Sequence, residues 1–299
     1  MYDLVIIGAG PAGLGASIYA SRAMLDFVFL EKWLPGGEIA NTYEVENYPG
    51  INHVSGAELS DLMIKHAEEL GAKIQNEGVT DVDFTGEIKK VVTRKNTYYT
   101  KTVIIATGAS SRRLGVPGED QFYGMGVSYC ATCDGALYKD KVVAVVGGGD
   151  VAVEDAIYLS RMAKKVYLVH RRNELRAVKT LQEKMFPLPN VEVIWDSVIT
   201  RVNGDQYVAS VHIQNKLTGE EKELTVDGLF VAVGMDPNSE FLKGKVEMDS
   251  GNWILTDENC ETSVKGVFAA GDVRKKLLRQ VITGVADGAI SVFALEKYL

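Results

Sequence analysis

At 299 residues the chain exceeds what one hydrophobic core ordinarily organises, and it predicts two domains of roughly 100–200 residues each. Its 46% hydrophobic and 24% charged residues exclude disordered and fibrous classes, and a net charge of −8 without a basic tail excludes a nucleic-acid or polybasic membrane-surface protein. Three Cys are too few for a disulfide framework, no apolar run reaches the roughly 18 residues of a spanning helix, and Asp3 stands where a secretory leader needs a basic residue, so the chain reads as cytoplasmic.

The first predicted element is a strand. Leu4-Val5-Ile6-Ile7 is an unbroken apolar run of the kind buried on both faces of a parallel sheet. It runs into Gly8-Ala9-Gly10-Pro11-Ala12-Gly13, a small-residue helix to Arg22, and a second apolar strand, Phe27-Val28-Phe29-Leu30, that ends at Glu31. Strand, G-x-G-x-x-G, helix, strand and acid form the dinucleotide-binding fingerprint in its required context. The glycines allow a tight turn, close approach of backbone N–H groups to a pyrophosphate, and close helix–strand packing, with the phosphate on the helix N-terminus. Glu31 can accept hydrogen bonds from free ribose hydroxyls and would repel a 2′-phosphate, which suits the adenosine of FAD or NAD.

The pattern returns further along. Val142 to Val146 runs into Gly147-Gly148-Gly149-Asp150-Val151-Ala152, a helix with Val153, Ala156, Ile157 and Ser160 at helical spacing, and a strand Val166 to Val169. One common offset maps Gly8 onto Gly147, Gly13 onto Ala152 and Glu31 onto His170. Each fingerprint is followed by a polar-turned hairpin, Val91–Thr102 about Lys95-Asn96 and Val208–Val226 about Thr218-Gly219. Each hairpin leads to an apolar strand ending in a similar turn, Ala106-Thr107-Gly108 and Ala232-Val233-Gly234. The second site carries His170-Arg171-Arg172, with Arg176 one turn on; guanidinium groups there match a 2′-phosphate and predict NADPH, against the plainer reading of a solvated basic patch. FAD in one site and NADPH in the other form a hydride relay.

Just before the second fingerprint stands Cys130-Ala131-Thr132-Cys133-Asp134-Gly135. A C-x-x-C pair near a βαβ unit reads as a redox disulfide. A zinc site would need two more ligands, and neither the distant Cys260 nor His53, His66, His170 and His212 has ligand spacing. Asp134 can serve as a general acid beside the thiols, or simply form an Asp-Gly turn.

Taken in order, these motifs resemble the low-molecular-weight thioredoxin reductases of bacteria and archaea over essentially the whole chain. The likeness includes Gly36-Gly37, Glu44-Val45-Glu46-Asn47-Tyr48-Pro49-Gly50, and Gly266-Val267-Phe268-Ala269-Ala270-Gly271-Asp272-Val273 followed by Arg279-Gln280. It implies an α/β fold of two Rossmann-like domains, each three-layered with a parallel sheet and a β-meander, the second inserted in the first. FAD would occupy residues 1–112 with 241–299, and NADPH residues 113–240, which also carry the disulfide. For FAD the resemblance implies Gly8, Gly10, Pro11, Ala12 and Gly13, then Glu31 and Lys32, then Gly36, Gly37, Glu38 and Asn47. It adds Thr107 and Gly108, and near the C-terminus Gly271, Asp272, Arg279 and Gln280, with Asp272 on the ribitol. For NADPH it implies Gly147, Gly149, Asp150 and Ala152, with His170, Arg171, Arg172 and Arg176.

The implied reaction passes reducing equivalents from NADPH through FAD to the Cys130–Cys133 disulfide and on to thioredoxin. Cys133 would be the flavin-side sulfur, Cys130 the attacking one, and Asp134 the acid. The resemblance also implies a homodimer and rotation of the inserted domain about links near Arg112-Arg113 and Pro237-Asn238. The family usually has Gln where this chain has Glu38; a carboxylate there lowers the flavin potential, alters donor choice, or faces solvent. Other readings keep the fold with NADH or ferredoxin as donor, a glutaredoxin-like or peroxidase component as acceptor, or a flavin-binding redox sensor without turnover.

Overall fold

The computed structural model describes residues 1–42 and 45–299; Glu44, the first residue of the expected Glu44–Gly50 motif, lies outside them. The chain opens with β1 (Tyr2–Ile7), α1 (Pro11–Arg22) and β2 (Phe27–Glu31). It continues through α2 (Gly56–Glu69), whose N-terminus is capped where Ser55 Oγ accepts the Glu58 N–H at 3.1 Å. Strands β3 (Ile74–Asn76), β4 (Val79–Asp83), β5 (Lys89–Thr93), β6 (Thr97–Ile105) and the short β7 (Ala109–Ser111) follow.

The second stretch begins with β8 (Val127–Ser128), α3 (Ala131–Asp134), β9 (Val142–Gly147) and α4 (Asp150–Ser160). Next are β10 (Lys165–Val169), α5 (Lys179–Met185) and β11 (Val191–Ile194). A meander of β12 (Ser197–Gly204), β13 (Val208–Asn215) and β14 (Glu221–Thr225) leads to β15 (Gly228–Ala232). The chain leaves through β16 (Met235–Pro237), which pairs with β7, and ends with β17 (Val267–Ala269) and α6 (Val281–Leu295).

Two compact units result. The first comprises Met1–Thr42, Tyr48–Ser110 and Asp236–Leu299; the second is mainly Ser111–Met235. In the first, β3-β2-β1-β6 and β17 are parallel, and β5 and β4 continue the sheet antiparallel. In the second, β11-β10-β9-β15-β8 are all parallel, and β12-β13-β14 form a separate antiparallel sheet. Both expected hairpins are present, but the two meanders attach differently. β6 has nine residues, enough for its first part to pair with β5 and its end with β17. β15 has five, all paired with β9 and two of them with β8 on the other side, so the second meander covers the sheet as a layer of its own.

The apolar runs explain the three layers. Leu4 and Ile6 point into one core with Leu14 of α1 and Val292 of α6, whereas Val5 and Ile7 point into another with Val91, Tyr98 and Val267. The second unit repeats this: Val143 and Val145 face Val153 and Ala156 of α4, while Ala144 and Val146 face Val211 and Leu224 of the meander. Small residues let α6 lie against α1. A Cβ on Gly288 would stand 2.2 Å from Ala12 O, and one on Gly15 would stand 2.9 Å from Val285 O. The C-terminal segment is thereby built into the N-terminal unit.

Helix α4 also carries a charge in an unfavourable place. Burial, with a smaller contribution from the Glu154 charge, pushes the Asp155 carboxyl up to about 7. The folded chain therefore holds a proton that the unfolded chain has released, and stability falls as pH rises from about 4 to 7. Asp155→Asn should match the parent in urea denaturation at pH 4 and exceed it at pH 8, by up to about 4 kcal/mol.

Candidate dinucleotide sites and redox-active disulfide

In the first unit the fingerprint is shaped by two forbidden Cβ positions. One on Gly8 (φ +103°) would lie 2.4 Å from Ala106 O, and one on Gly13 would lie 1.8 Å from Gly8 O. Gly10 differs: the nearest atom to its Cβ position is Gly37 Cα, 3.7 Å away, so the space before α1 is open. Gly10 is the N-cap with no side-chain cap, Pro11 occupies N1, and Ala12 is buried behind them. Gly36 closes the cradle by donating its N–H to Ala9 O at 2.8 Å. Gly37 (φ +69°) lies close enough that its Cβ would be 3.0 Å from Gly10 Cα.

Glu31 ends β2 in the expected place, but its carboxylate is partly committed. Oε2 accepts the Ala9 N–H at 2.7 Å and Oε1 the Trp33 N–H at 2.9 Å. Each oxygen keeps a further lone pair for a ribose hydroxyl. Lys32 is exposed with its Cβ over Gly78, and Glu38 is exposed at the start of a short 3₁₀ turn. Asn47 lies on an exposed stretch that clusters with the second unit, not with this fingerprint.

Thr107 and Gly108 are held by Asn238, which the resemblance named only as part of a hinge link. Asn238 donates to Thr107 O at 2.9 Å and to Gly108 O at 3.0 Å, and Thr107 Oγ1 donates to Asn238 O at 2.8 Å. The C-terminal loop rests on a buried ion cluster. Asp287 of α6 accepts the Gly271 N–H at 2.9 Å, Arg274 Nη1 at 3.0 Å and Lys276 Nζ at 2.7 Å. Next to it, burial holds the Asp272 carboxyl above its usual range, against the nearby charges of Lys276 and Arg279. The Arg279 guanidinium stacks on Trp253 at 3.8 Å, and its Nε is buried without a partner. Gln280 caps α6 through a capping box with Thr283.

The second fingerprint repeats the geometry. A Cβ on Gly147 would lie 2.4 Å from Ala232 O and 2.6 Å from the Cβ of Ala152, the residue at the place Gly13 holds in the first site. Gly149 is the N-cap of α4, with no side-chain cap and nothing within 4 Å of its Cβ position. Asp150 Oδ1 accepts the Val178 N–H at 2.8 Å, and Gly148 O accepts the Arg176 N–H at 2.7 Å. These bonds draw Arg176 to the fingerprint. Arg171, Arg172 and Arg176 are exposed, and none has a side-chain hydrogen bond or ion pair among the described residues. His170 behaves differently from its expected place in that cluster. Its ring is buried, Nδ1 at 2.8 Å from Gly147 O and Nε2 at 2.9 Å from Glu174 O, and burial holds it below the usual imidazole range. It props the loop from within, both ring nitrogens facing backbone carbonyl oxygens.

Cys130 and Cys133 are disulfide-bonded, their Cα atoms 5.3 Å apart. Cys130 is the N-cap of α3, and its carbonyl accepts the Cys133 and Asp134 N–H groups at 3.2 and 3.1 Å. Asp134 is turned inward. Its Oδ2 accepts Ser128 Oγ–H at 2.6 Å, and its Oδ1 is buried with no partner. Burial pushes this carboxyl up, opposed by the Ser128 hydrogen bond. A protonated carboxyl suits both observations.

The model of the pyridine nucleotide-disulphide oxidoreductase family matches residues 2–288. A thioredoxin reductase of Peptoclostridium acidaminophilum is 47% identical, the alignment covering 100% of this chain and 97% of that protein. The crystal structure of a thioredoxin reductase from Streptococcus pyogenes MGAS5005 is 47% identical with a TM-score of 0.96, over 100% of this chain and 98% of that one. One from Lactococcus lactis is 43% identical with a TM-score of 0.68, over 100% and 99%. The chain belongs to the pyridine nucleotide-disulphide oxidoreductase family.

For this pyridine nucleotide-disulphide oxidoreductase, the residues missed from sequence are mostly supporting ones: Ser128, Trp253, Arg274, Lys276 and Asp287, with Asn238 named only as a hinge link. Only Asp287 left a signal, as the one acid within the apolar helix Val281–Leu295. The Asp287, Arg274 and Lys276 side chains are 9, 14 and 10% exposed. Removing the shared anion leaves two buried cations unpaired, so Asp287→Ala should cost about 3–5 kcal/mol in chemical denaturation. Lys276→Met should cost less, because Arg274 keeps its partner.

Proposed function

We propose that the chain is an NADPH-dependent thioredoxin reductase, carrying reducing equivalents from NADPH through FAD and the Cys130–Cys133 disulfide to the disulfide of thioredoxin. The observation that carries this reading is the bonded C-x-x-C pair with an inward acid, in one unit with a fingerprint flanked by three unpaired guanidinium groups. FAD belongs to the discontinuous unit and NADPH to the inserted one. Open Cβ positions at Gly10 and Gly149, uncapped helices α1 and α4, and the partnerless Arg279 Nε fit two such groups. When bound, flavin and nicotinamide supply two-electron transfer to the disulfide.

The chain's own residues then do the exchange. The Cys130 thiolate attacks one sulfur of the partner's disulfide, forming a mixed disulfide and displacing the other sulfur as a thiolate, which takes a proton from Asp134. Cys133 attacks Cys130 Sγ, releases the second partner sulfur and restores the Cys130–Cys133 bond. Glu31 favours an unphosphorylated ribose in the first site, and the Arg171–Arg172–Arg176 cluster a 2′-phosphate in the second.

No helix among the described residues is long and apolar enough to cross a membrane, and the proposal places the protein in the cytoplasm. It also assigns a homodimer. Tyr19 of α1 and Ile290 and Phe293 of α6 line one shallow hollow of the first unit, with Phe293 78% exposed.

Anaerobic titration of the purified protein with NADPH should bleach the flavin and consume more than one two-electron equivalent per chain; bleaching by dithionite alone would refute the donor. Arg171→Ala or Arg172→Ala removes a charge-assisted contact of about 1.5–3 kcal/mol, so the NADPH/NADH ratio of kcat/KM should fall roughly ten- to a hundredfold. Phe293→Asp should halve the mass measured by light scattering; a monomeric parent protein would remove the dimer assignment.

A further inference from the structure

Ser128 is 4% exposed and fixed by the last pairing of β8, opposite Phe230 of β15. Its hydroxyl touches three groups. Oγ accepts the Cys130 N–H at 3.1 Å, lies 2.6 Å from Asp134 Oδ2, and lies 3.4 Å from Cys130 O. A serine oxygen has one hydrogen and two lone pairs, so these contacts can be satisfied in two ways. With Asp134 ionised, the hydroxyl donates to Oδ2. With Asp134 protonated at Oδ2, the carboxyl donates to Oγ and the hydroxyl turns to Cys130 O. The Cys130 N–H donates to Oγ in both.

We propose that Ser128 is the positioning residue for the Asp134 proton, its hydroxyl turning between Asp134 Oδ2 and Cys130 O as the carboxyl loses and regains that proton. The inference rests on the reading of Asp134 as the acid of the exchange. No other group near the carboxyl can take the part. From its own helix come Cys130, Thr132 and Cys133, and from the following turn Tyr138, whose phenol is pushed up to about 12 chiefly by burial, then by the Asp134 and Asp227 charges. From α4 comes the Tyr158 ring, against Gly135. From β8 and the residue after it, Ser128 is the contact, since Tyr129 is bonded to Glu119 and Arg113. Asp134 has no ion pair among the described residues, and Oδ1 has no partner. The Ser128 hydroxyl is therefore the one donor that stabilises the ionised form. It also ties the acid to the backbone of the attacking cysteine.

The test follows the Asp134 carboxyl directly, by infrared difference titration of the oxidised holoprotein with Asp134→Asn as the blank. Ser128→Ala should move the midpoint upward by about one to two pH units, and Ser128→Thr, which keeps the hydroxyl, should restore it. The pH limb of thioredoxin reduction assigned by Asp134→Asn should move by the same amount. Should Ser128→Ala fail to fold, Ser128→Gly carries the same expectation. An unmoved midpoint, with turnover lowered equally at every pH, would overturn the proposal and leave Ser128 a structural residue. A shifted midpoint in a protein that does not reduce thioredoxin would instead refute the proposed acceptor and leave the Ser128–Asp134 coupling standing.

Discussion

Two carbonyl oxygens set the geometry on which the rest depends. Ala106 O and Ala232 O each stand 2.4 Å from where a Cβ would project on Gly8 and Gly147. At their carboxyl ends β1 and β6 in the first unit, and β9 and β15 in the second, approach so closely that no side chain fits between them. The chain must turn there, and a helix begins a few residues on with its first N–H groups unclaimed. Both cradles follow from this contact, as does the similarity of the turns after Ala106 and Ala232.

The two cradles then diverge through the group that ends the next strand. Glu31 is held by the Ala9 and Trp33 N–H groups, so the first cradle keeps its carboxylate in a fixed place at the end of β2. His170 occupies the same place in the second site but folds inward beneath Gly148, where a Cβ would lie 2.1 Å from its ring. That leaves the rim to Arg171, Arg172 and Arg176. The two copies of the repeat thus differ in where a single side chain points, with little change to the backbone beneath. Burial does comparable work at the acids. Asp287 is buried with two cations to hold Gly271, whereas Asp134 is buried with only a hydroxyl and so favours its proton.

Much of this was legible in the residues. An apolar run such as Leu4 to Ile7 has one stable use, as a strand covered on both faces, and glycine spacing depends on local sterics that the chain writes directly. The C-x-x-C pair was equally plain, since its spacing is short enough to be closed within one turn. His170 was grouped with its basic neighbours, and only the packing under Gly148 reveals that its ring is buried with both nitrogens facing backbone carbonyls. Ser128 and Lys276 were passed over, and Asn238 was named only as a hinge link, because an isolated polar residue in a loop or strand end carries no periodicity.

The sequence by itself determined the local elements, the duplication, the opposite charge of the two ribose positions and the redox pair, because each depends on residues within about thirty positions of one another. Tertiary structure alone decided that small residues bring α6 directly onto α1, that the second meander stands apart as its own sheet, and that Asp134 is held by Ser128 with one oxygen unpartnered among the described residues. Those outcomes depend on which distant surfaces meet and on what remains of each polar group's hydrogen-bonding capacity after they do. No residue type or spacing carries that information before the chain has packed.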